Sequence, residues 1–186
     1  GTFVRADVHG EQAELSVDVA VRNDGKASAA FDVAHELLDP DGRLVAREVL
    51  AGRSGGVDAT ADVPARMVVR NARLWSLETP QLYTLRTVIR QGSDIVDRYD
   101  TPVGIRSLRF DAREGFFLNG RHVKLHGVDD HQDHAGVGVA VPDGLQTWRL
   151  RRLKDMGVNA IRSSHHPATP ELLDAADRLG MLVIDE

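Results

Sequence analysis

Polar and apolar residues alternate through the first half of the chain with a period of two. In AELSVDVAVRN, Leu15, Val17, Val19 and Val21 fall on one side and Glu14, Ser16, Asp18 and Arg22 on the other, the pattern of a strand with one buried face. Segments of the same kind run over Phe31–Leu38, Leu44–Leu50, Arg66–Val69 and Tyr83–Ile89. Between them lie Asn23-Asp24-Gly25, Asp39-Pro40-Asp41-Gly42 and Gln91-Gly92-Ser93, residues that accept positive φ or pre-set a turn. Short strands at this spacing, with no helical period among them, predict an antiparallel β-sandwich of about seven strands, immunoglobulin-like in size. This first domain is placed at residues 1–103.

From Gly104 the period changes. FFLNGRHVKLHGV predicts a hairpin turned at Asn119-Gly120. PDGLQTWRLRRLKDMGVN predicts a helix with Asp143 as its N-cap, Leu145, Trp148, Leu153 and Met156 on its apolar face, and Gly157 as a left-handed C-terminal cap. VNAIRSSHHP predicts a short strand. TPELLDAADRLG then predicts a second helix, with Thr169 as cap, Pro170 at the first helical position and Gly180 past the end. MLVIDE closes the chain with a third apolar strand. Three strands separated by two helices, each too apolar to have one face in water, predict α/β structure with parallel strands and right-handed crossovers. This second domain is placed at residues 104–186.

Composition narrows the partners. The 186 residues are 42% hydrophobic, enough for one large or two small domains, and the change of period favours two. A formal net charge of -5, with no basic run interleaved with aromatics, provides no attraction to nucleic acid or an anionic membrane surface. No apolar run is long enough to cross a bilayer, and GTFVRADVHG at the N-terminus lacks the basic start and apolar middle of a secretory signal. The expected partners are uncharged or small. The absence of cysteine removes a disulfide framework and a thiolate nucleophile, and leaves the compartment open.

Each predicted parallel strand starts apolar and ends polar. Val123 and Leu125 lead into HGVDDHQDH, Val158 and Ile161 into RSSHHP, and Leu182 to Ile184 into Asp185 and Glu186. Parallel strands share one carboxyl rim, so these distant positions converge. Three chemistries compete for the rim. A metal site would use His126, His131 and His134, but Gly136 and Gly138 make the segment a loop rather than a helix with ligands one turn apart. Nucleophilic catalysis by Ser163 or Ser164 lacks the G-x-S-x-G elbow. A polyhydroxylated ligand suits carboxylates, imidazoles and guanidinium groups at a groove edge. Hydrolysis of a glycoside with retention would further require two carboxyl groups about 5 Å apart, and the rim acids are Asp129, Asp130, Asp133, Asp185 and Glu186.

Other residues have structural readings. His35 alternates with Phe31, Val33 and Leu37 and is taken as a core-edge histidine, while His9 and His122 are taken as surface residues. Arg149, Arg151, Arg152 and Lys154 read as a solvated face complementing a helix dipole. Trp75, beside a proline turn, reads as a core plug between sheets.

GVDDHQDHAGVG followed by RRLKDMGVNAIRSSHHPATPELLDAADRLGMLVIDE resembles glycoside hydrolase family 2, in which a G-V-N-x-H-x-D loop precedes N-x-x-R-x-S-H-x-P and a strand ending V-x-D-E. The HQDHAGVG variant is most similar to the β-galactosidase branch. LWSLETPQLYTL and GIRSLRFDAREGFFLNG also resemble stretches of that family, so the similarity runs from Asn71 to Glu186. The resemblance implies an immunoglobulin-like sandwich followed by the first three strands and two helices of a (β/α)8 TIM barrel. It implies that His131, His165, Asp133 and Asp129 line the sugar pocket, and that Arg162 organises the strand ends with Asp185 or Glu186. Asp129 stands where asparagine is common in the family, and His166 where tyrosine is common.

By the same resemblance the acid/base and nucleophilic glutamates follow Glu186, and so does a magnesium site in the members that have one. A jelly-roll domain usually precedes the sandwich. The expectation is an internal portion of a retaining exo-glycosidase acting on terminal β-galactosides or related β-glycosides. No catalytic residue, metal ligand or cofactor is expected within these 186 residues, which alone are expected to be inactive. Two alternatives stand beside it: a carbohydrate- or protein-binding sandwich module, and a metal-dependent hydrolase using the His126–His134 cluster. Three parallel strands are also less than half of a closed barrel. The expected partners are therefore a carbohydrate substrate and either a second copy or the remaining polypeptide.

Overall fold

The computed structural model describes Gly1 to Glu186 and divides into two compact units. The first comprises residues 1–73 and 82–106, the second residues 74–81 and 107–186.

Seven strands build the first unit: β1 (Thr2–His9), β2 (Gln12–Arg22), β3 (Ala29–Leu38), β4 (Leu44–Gly55), β5 (Thr60–Arg70), β6 (Tyr83–Gln91) and β7 (Asp94–Val103). They form two antiparallel sheets, ordered β1-β2-β5 and β4-β3-β6-β7. Alternation dictates the core between the sheets. Leu15, Val17 and Val19 of β2 and Val63, Met67 and Val69 of β5 are buried from one sheet; Phe31, Val33 and Leu37 of β3 and Leu85 and Ile89 of β6 are buried from the other. Each large side chain so buried contributes about 1.5–3 kcal/mol. Strands β1 and β7, which the sequence segments do not include, are edge strands, as are β4 and β5. From Asp94 to Asp100, β7 is exposed and highly charged, a composition that discourages edge-to-edge pairing.

His35 is more deeply placed than the expected core-edge position. It is fully buried, with Nδ1 3.1 Å from the hydroxyl of Thr87 on the neighbouring strand, and its Nε2 meets no partner. Burial pulls the pKa of His35 below its ordinary value, because a charged imidazole here would lose its hydration without a compensating acceptor.

The second unit begins with an antiparallel three-stranded sheet of β8 (Leu108–Asp111), β9 (Gly115–Leu118) and β10 (Arg121–His122). Asn119 and Gly120, both at positive φ, supply the two-residue hairpin turn between β9 and β10. There follow β11 (Gly127–His131), α1 (Asp143–Asp155), β12 (Ala160–Ser164), α2 (Pro170–Leu179) and β13 (Leu182–Ile184). The three strands are parallel and ordered β11-β12-β13. Leu150 of α1, Ile161 of β12, Leu172, Ala175 and Ala176 of α2, and Met181 form their common core.

Several local expectations shift. The first parallel strand starts at Gly127, not at Val123, because Asn159 holds the approach: its Oδ1 accepts the His126 amide and its Nδ2 donates to the Lys124 carbonyl. Pro142, not Asp143, is the N-cap of α1; Asp143 is the first helical residue and makes no side-chain cap. The buried face of α1 is also rotated from the expected apolar stripe. Trp148 and Met156 are 49% and 78% exposed, whereas Gln146 and Leu150 are buried. Gln146 earns its place by accepting the Thr169 hydroxyl at 3.0 Å, which satisfies a buried amide. In α2 the expected signals hold: Thr169 caps by accepting the Leu172 amide, Pro170 occupies the first turn and Gly180 ends the helix in the left-handed region.

Trp75 departs from its expected place between the sandwich sheets. The excursion Leu74–Gln81 between β5 and β6 belongs to the second unit. There the Trp75 side chain is wholly buried, and its indole N–H donates to the Asp177 carbonyl at 2.7 Å. Asn119 Nδ2 donates to the Trp75 carbonyl. Lys154 donates to the carbonyls of Leu77 and Leu179, binding the excursion to the end of α2. Burial of the ammonium lowers the Lys154 pKa. Lys154 is thus not the solvated residue that the basic run suggests.

Candidate functional site

The site follows from the period of two in the parallel strands. Val128, Ile161 and Val183 are aligned in register and pack with the core beneath α1 and α2, so they face the helices. Their neighbours face the other way. Asp129 lies opposite Arg162, and His131 opposite Ser164, on the face turned from the helices. Asp130 and Ser163, also in register, fall on the helix face and are buried. The run Asp129-Asp130-His131 is therefore split: two residues address the site and one addresses the scaffold.

On the outward face the strand ends converge. The rings of His131 and His165 meet edge-to-face, with centroids 5.4 Å apart at 84°. His165 Nδ1 is 3.2 Å from Glu186 Oε2 and 3.4 Å from Arg162 Nη2. Arg162 Nη2 donates to Glu186 Oε2 at 2.7 Å, and its Nη1 lies 3.4 Å from Asp129 Oδ1. The Ser164–His165 peptide bond is cis. Arg162 is one-third exposed and its acids are more so, and pairs of this kind contribute about 0–1 kcal/mol. Their main effect is to fix side-chain directions. The cluster of His131, His165, Arg162, Asp129 and Glu186 presents imidazole faces, carboxylate acceptors and guanidinium donors within one small region, a set suited to hydroxyl groups.

The remaining predicted residues lie differently. Asp185 does not join Arg162; its Oδ1 accepts the Ala168 amide at 2.8 Å and the Ser163 hydroxyl at 3.1 Å. Those bonds, led by the Ala168 amide, hold its pKa below the usual carboxylate range. Asp185 thus ties β13 to the segment after β12. Asp133 lies past the end of β11 and is exposed; its carbonyl, rather than its carboxylate, is engaged, accepting Arg149 Nη1 at 2.7 Å. His126 precedes β11 and His134 lies in the following loop, where its amide donates to the Gly138 carbonyl. No three His, Asp or Glu side chains are grouped so as to hold a metal ion. His126, His131 and His134, the set that the metal reading would use, do not form such a group.

Sequence reasoning counted Asp130 among the rim acids and took Arg149 as solvated, and it missed that the two pair beneath the helix. Their ion pair spans 3.0 Å, with side chains only 17% and 9% exposed. Burial pushes the Asp130 pKa up, against the pull of the Arg149 charge. The available signal was the alternation Asp129-Asp130-His131, which requires one acid to face the helices once Val128 does. A separate cleft of about 930 Å3 opens in the first unit among β2, β3, β6 and β7, with Val19, Phe31, Thr87, Ile89, Asp97 and Tyr99 in its walls. It contains none of the His131–His165 cluster.

These features describe a class of protein: an immunoglobulin-like β-sandwich leading into the opening strands of a TIM barrel, with a polar cluster at their carboxyl ends. Comparison with known proteins agrees. Residues 1–106 match the family model for glycosyl hydrolases family 2, and residues 111–186 match that for the TIM barrel domain of the same family. The chain belongs to glycosyl hydrolases family 2. It is 41% identical to the β-galactosidase BoGH2A of Bacteroides ovatus over 189 aligned residues, covering 100% of this chain and 22% of that protein. A crystal structure of a family 2 member from Bacteroides cellulosilyticus superposes with a TM-score of 0.92 at 34% identity, covering 100% of this chain and 26% of the other. The β-glucuronidase 2 of Bacteroides uniformis, solved covalently bound to cyclophellitol-6-carboxylate aziridine, superposes with a TM-score of 0.91 at 35% identity, covering 98% and 22%. The chain thus spans about a fifth to a quarter of the length of these relatives.

Proposed function

We propose that this chain is part of a retaining exo-glycosidase acting on terminal β-galactosides or related β-glycosides. In this reading His131, His165, Asp129 and Asp133 contact the sugar, and Arg162 with Glu186 holds the cluster in place. The observation that carries the reading is the meeting of the His131 and His165 rings at 5.4 Å on one strand-end face, although they stand 34 positions apart in the chain. An imidazole offers an apolar ring face to C–H surface and a nitrogen to a hydroxyl. Two of them edge-to-face, beside carboxylates, form one wall of a groove for a polyhydroxylated ligand.

The reaction itself is assigned to residues outside this chain. Retention needs a nucleophilic carboxylate and an acid/base carboxyl about 5–5.5 Å apart across the scissile bond. Here Asp130 and Glu186 are committed to arginines, and Asp185 to an amide and a hydroxyl, so these three are supporting structure rather than poised reactants. Asp129, more exposed beside Arg162, is kept as a sugar contact.

Titration of the 186-residue chain with galactose, followed by NMR of the imidazole and backbone resonances, tests the binding half. Shifts clustered at His131, His165 and Asp129 are expected, with a dissociation constant in the millimolar range, about -4 kcal/mol. Shifts confined to the cleft walls at Thr87 and Tyr99 would instead favour a binding module in the sandwich. For the catalytic half, the chain is expected to show no turnover of a chromogenic β-galactoside. A turnover number of about 1–10³ s⁻¹, ordinary for an enzyme, refutes that assignment.

A further inference from the structure

We propose that Arg149 is the positioning residue of the sugar-facing wall: from the helix side of the sheet it sets the direction in which His131 projects, without touching the ligand. The inference rests on the reading of His131 as a sugar contact. Its geometric half can be judged without that reading.

One guanidinium engages three positions of the segment leaving β11. Its Nη2 lies 3.0 Å from the Asp130 carboxylate and donates to the His131 carbonyl at 2.9 Å, while Nη1 donates to the Asp133 carbonyl at 2.7 Å. Only a planar fork with several donors spans such a set; an ammonium is a single point charge on a flexible stem. The consequence follows from alternation. With the Asp130 carboxylate drawn to α1, the side chain of His131 must leave on the opposite face, where His165 stands. A one-residue slip of this strand end would exchange their faces, bringing an imidazole under the helix and a carboxylate into the groove.

Stability alone does not account for this arrangement. The pair is nearly removed from solvent, and the Arg149 Nε–H is buried without an acceptor. A buried ion pair with an unmet donor contributes little net stability, because desolvation offsets the attraction. What remains is directional: the carbonyls of His131 and Asp133 are held on either side of Gln132, so the loop cannot swing without breaking charge-assisted hydrogen bonds.

The test uses the full 186-residue chain with Arg149→Lys and Arg149→Met, and Arg152→Met as a control on the exposed side of the same helix. Two signals are read: the nuclear Overhauser contact between the His131 and His165 rings, and the dissociation constant for galactose. Both Arg149 variants are expected to lose the ring contact and bind galactose about tenfold or more weakly, the scale of loss a small misplacement produces. Hydrogen-exchange protection of β12 should persist, and the control should match the wild type. If Arg149→Lys retains both the ring contact and wild-type affinity, the proposal is overturned. It is also overturned if both variants lose protection across the parallel strands, since Arg149 is then a structural residue. If the wild type binds no galactose yet the variants lose the ring contact, the positioning role stands and the sugar reading fails.

Discussion

Replacing Trp75 with alanine tests which core this residue completes. Its side chain is wholly buried, and truncating a buried tryptophan costs about 3–5 kcal/mol through lost transfer energy and the cavity left behind. The Asp177 carbonyl, which accepts the indole N–H at 2.7 Å, also loses its donor, at about 1–3 kcal/mol. The combined loss is comparable with the whole stability of a typical domain, about 5–15 kcal/mol. Trp75→Phe retains most of the ring burial and removes the donor, so its cost should be near the hydrogen-bond contribution alone. Because the chain has two compact units, a single unfolding midpoint would mix them. Hydrogen exchange resolved by segment separates them, and urea unfolding followed by the one remaining tryptophan, Trp148 on α1, reports the second unit. Protection of α2 and β13 is expected to fall in Trp75→Ala while β2, β3 and β6 stay protected. Loss confined to the sandwich strands, or a cost below about 1 kcal/mol, would refute the placement of Trp75 in the second unit.

Three further outcomes are expected. Burial lowers the His35 pKa from its ordinary 6.5, so the unfolded chain takes up this proton first on acidification. The sandwich should then lose stability as pH falls below about 6.5 towards the folded-state pKa. Thermal midpoints at pH 7 and pH 5 should differ less in His35→Gln than in the wild type, and an unchanged difference removes His35 as a cause. Gly180→Ala should destabilise the second unit by more than about 1–2 kcal/mol, the left-handed penalty alone, because at φ 67° a Cβ would stand 2.5 Å from the Leu77 carbonyl oxygen; a neutral effect on the urea midpoint contradicts this. Finally, β11 and β13 are open edges of a three-stranded parallel sheet, and such edges recruit other strands. Light scattering of the purified chain is expected to show self-association, and a monodisperse monomer with a protected β13 counts against it.

The parts of the site that could be read in advance were those governed by local rules. Thr169, Pro170 and Gly180 mark the ends of α2 by backbone chemistry that depends on a few neighbours, and the structure places them as expected. The rim was legible because parallel strands share a carboxyl end, and His131 and His165 do meet there. Where a residue's partner lay far along the chain, the local pattern misled. Trp148 and Met156 fit a helical stripe but lie outside the core, while Gln146 is inside because Thr169 reaches it across 23 positions. Arg149 resembled its exposed neighbours Arg151 and Arg152, and only the docking of α1 over β11 separates them.

The order of local events along this chain was thus written in its side chains: alternation for the sandwich, helix caps for the crossovers, and polar residues collected at strand ends. Which of two adjacent aspartates faces a groove and which faces a helix was decided by tertiary structure alone. The physical reason is that alternation defines two faces without naming them. Packing names them, when Val128, Ile161 and Val183 settle beneath the helices and Asp129 and His131 are left on the other side.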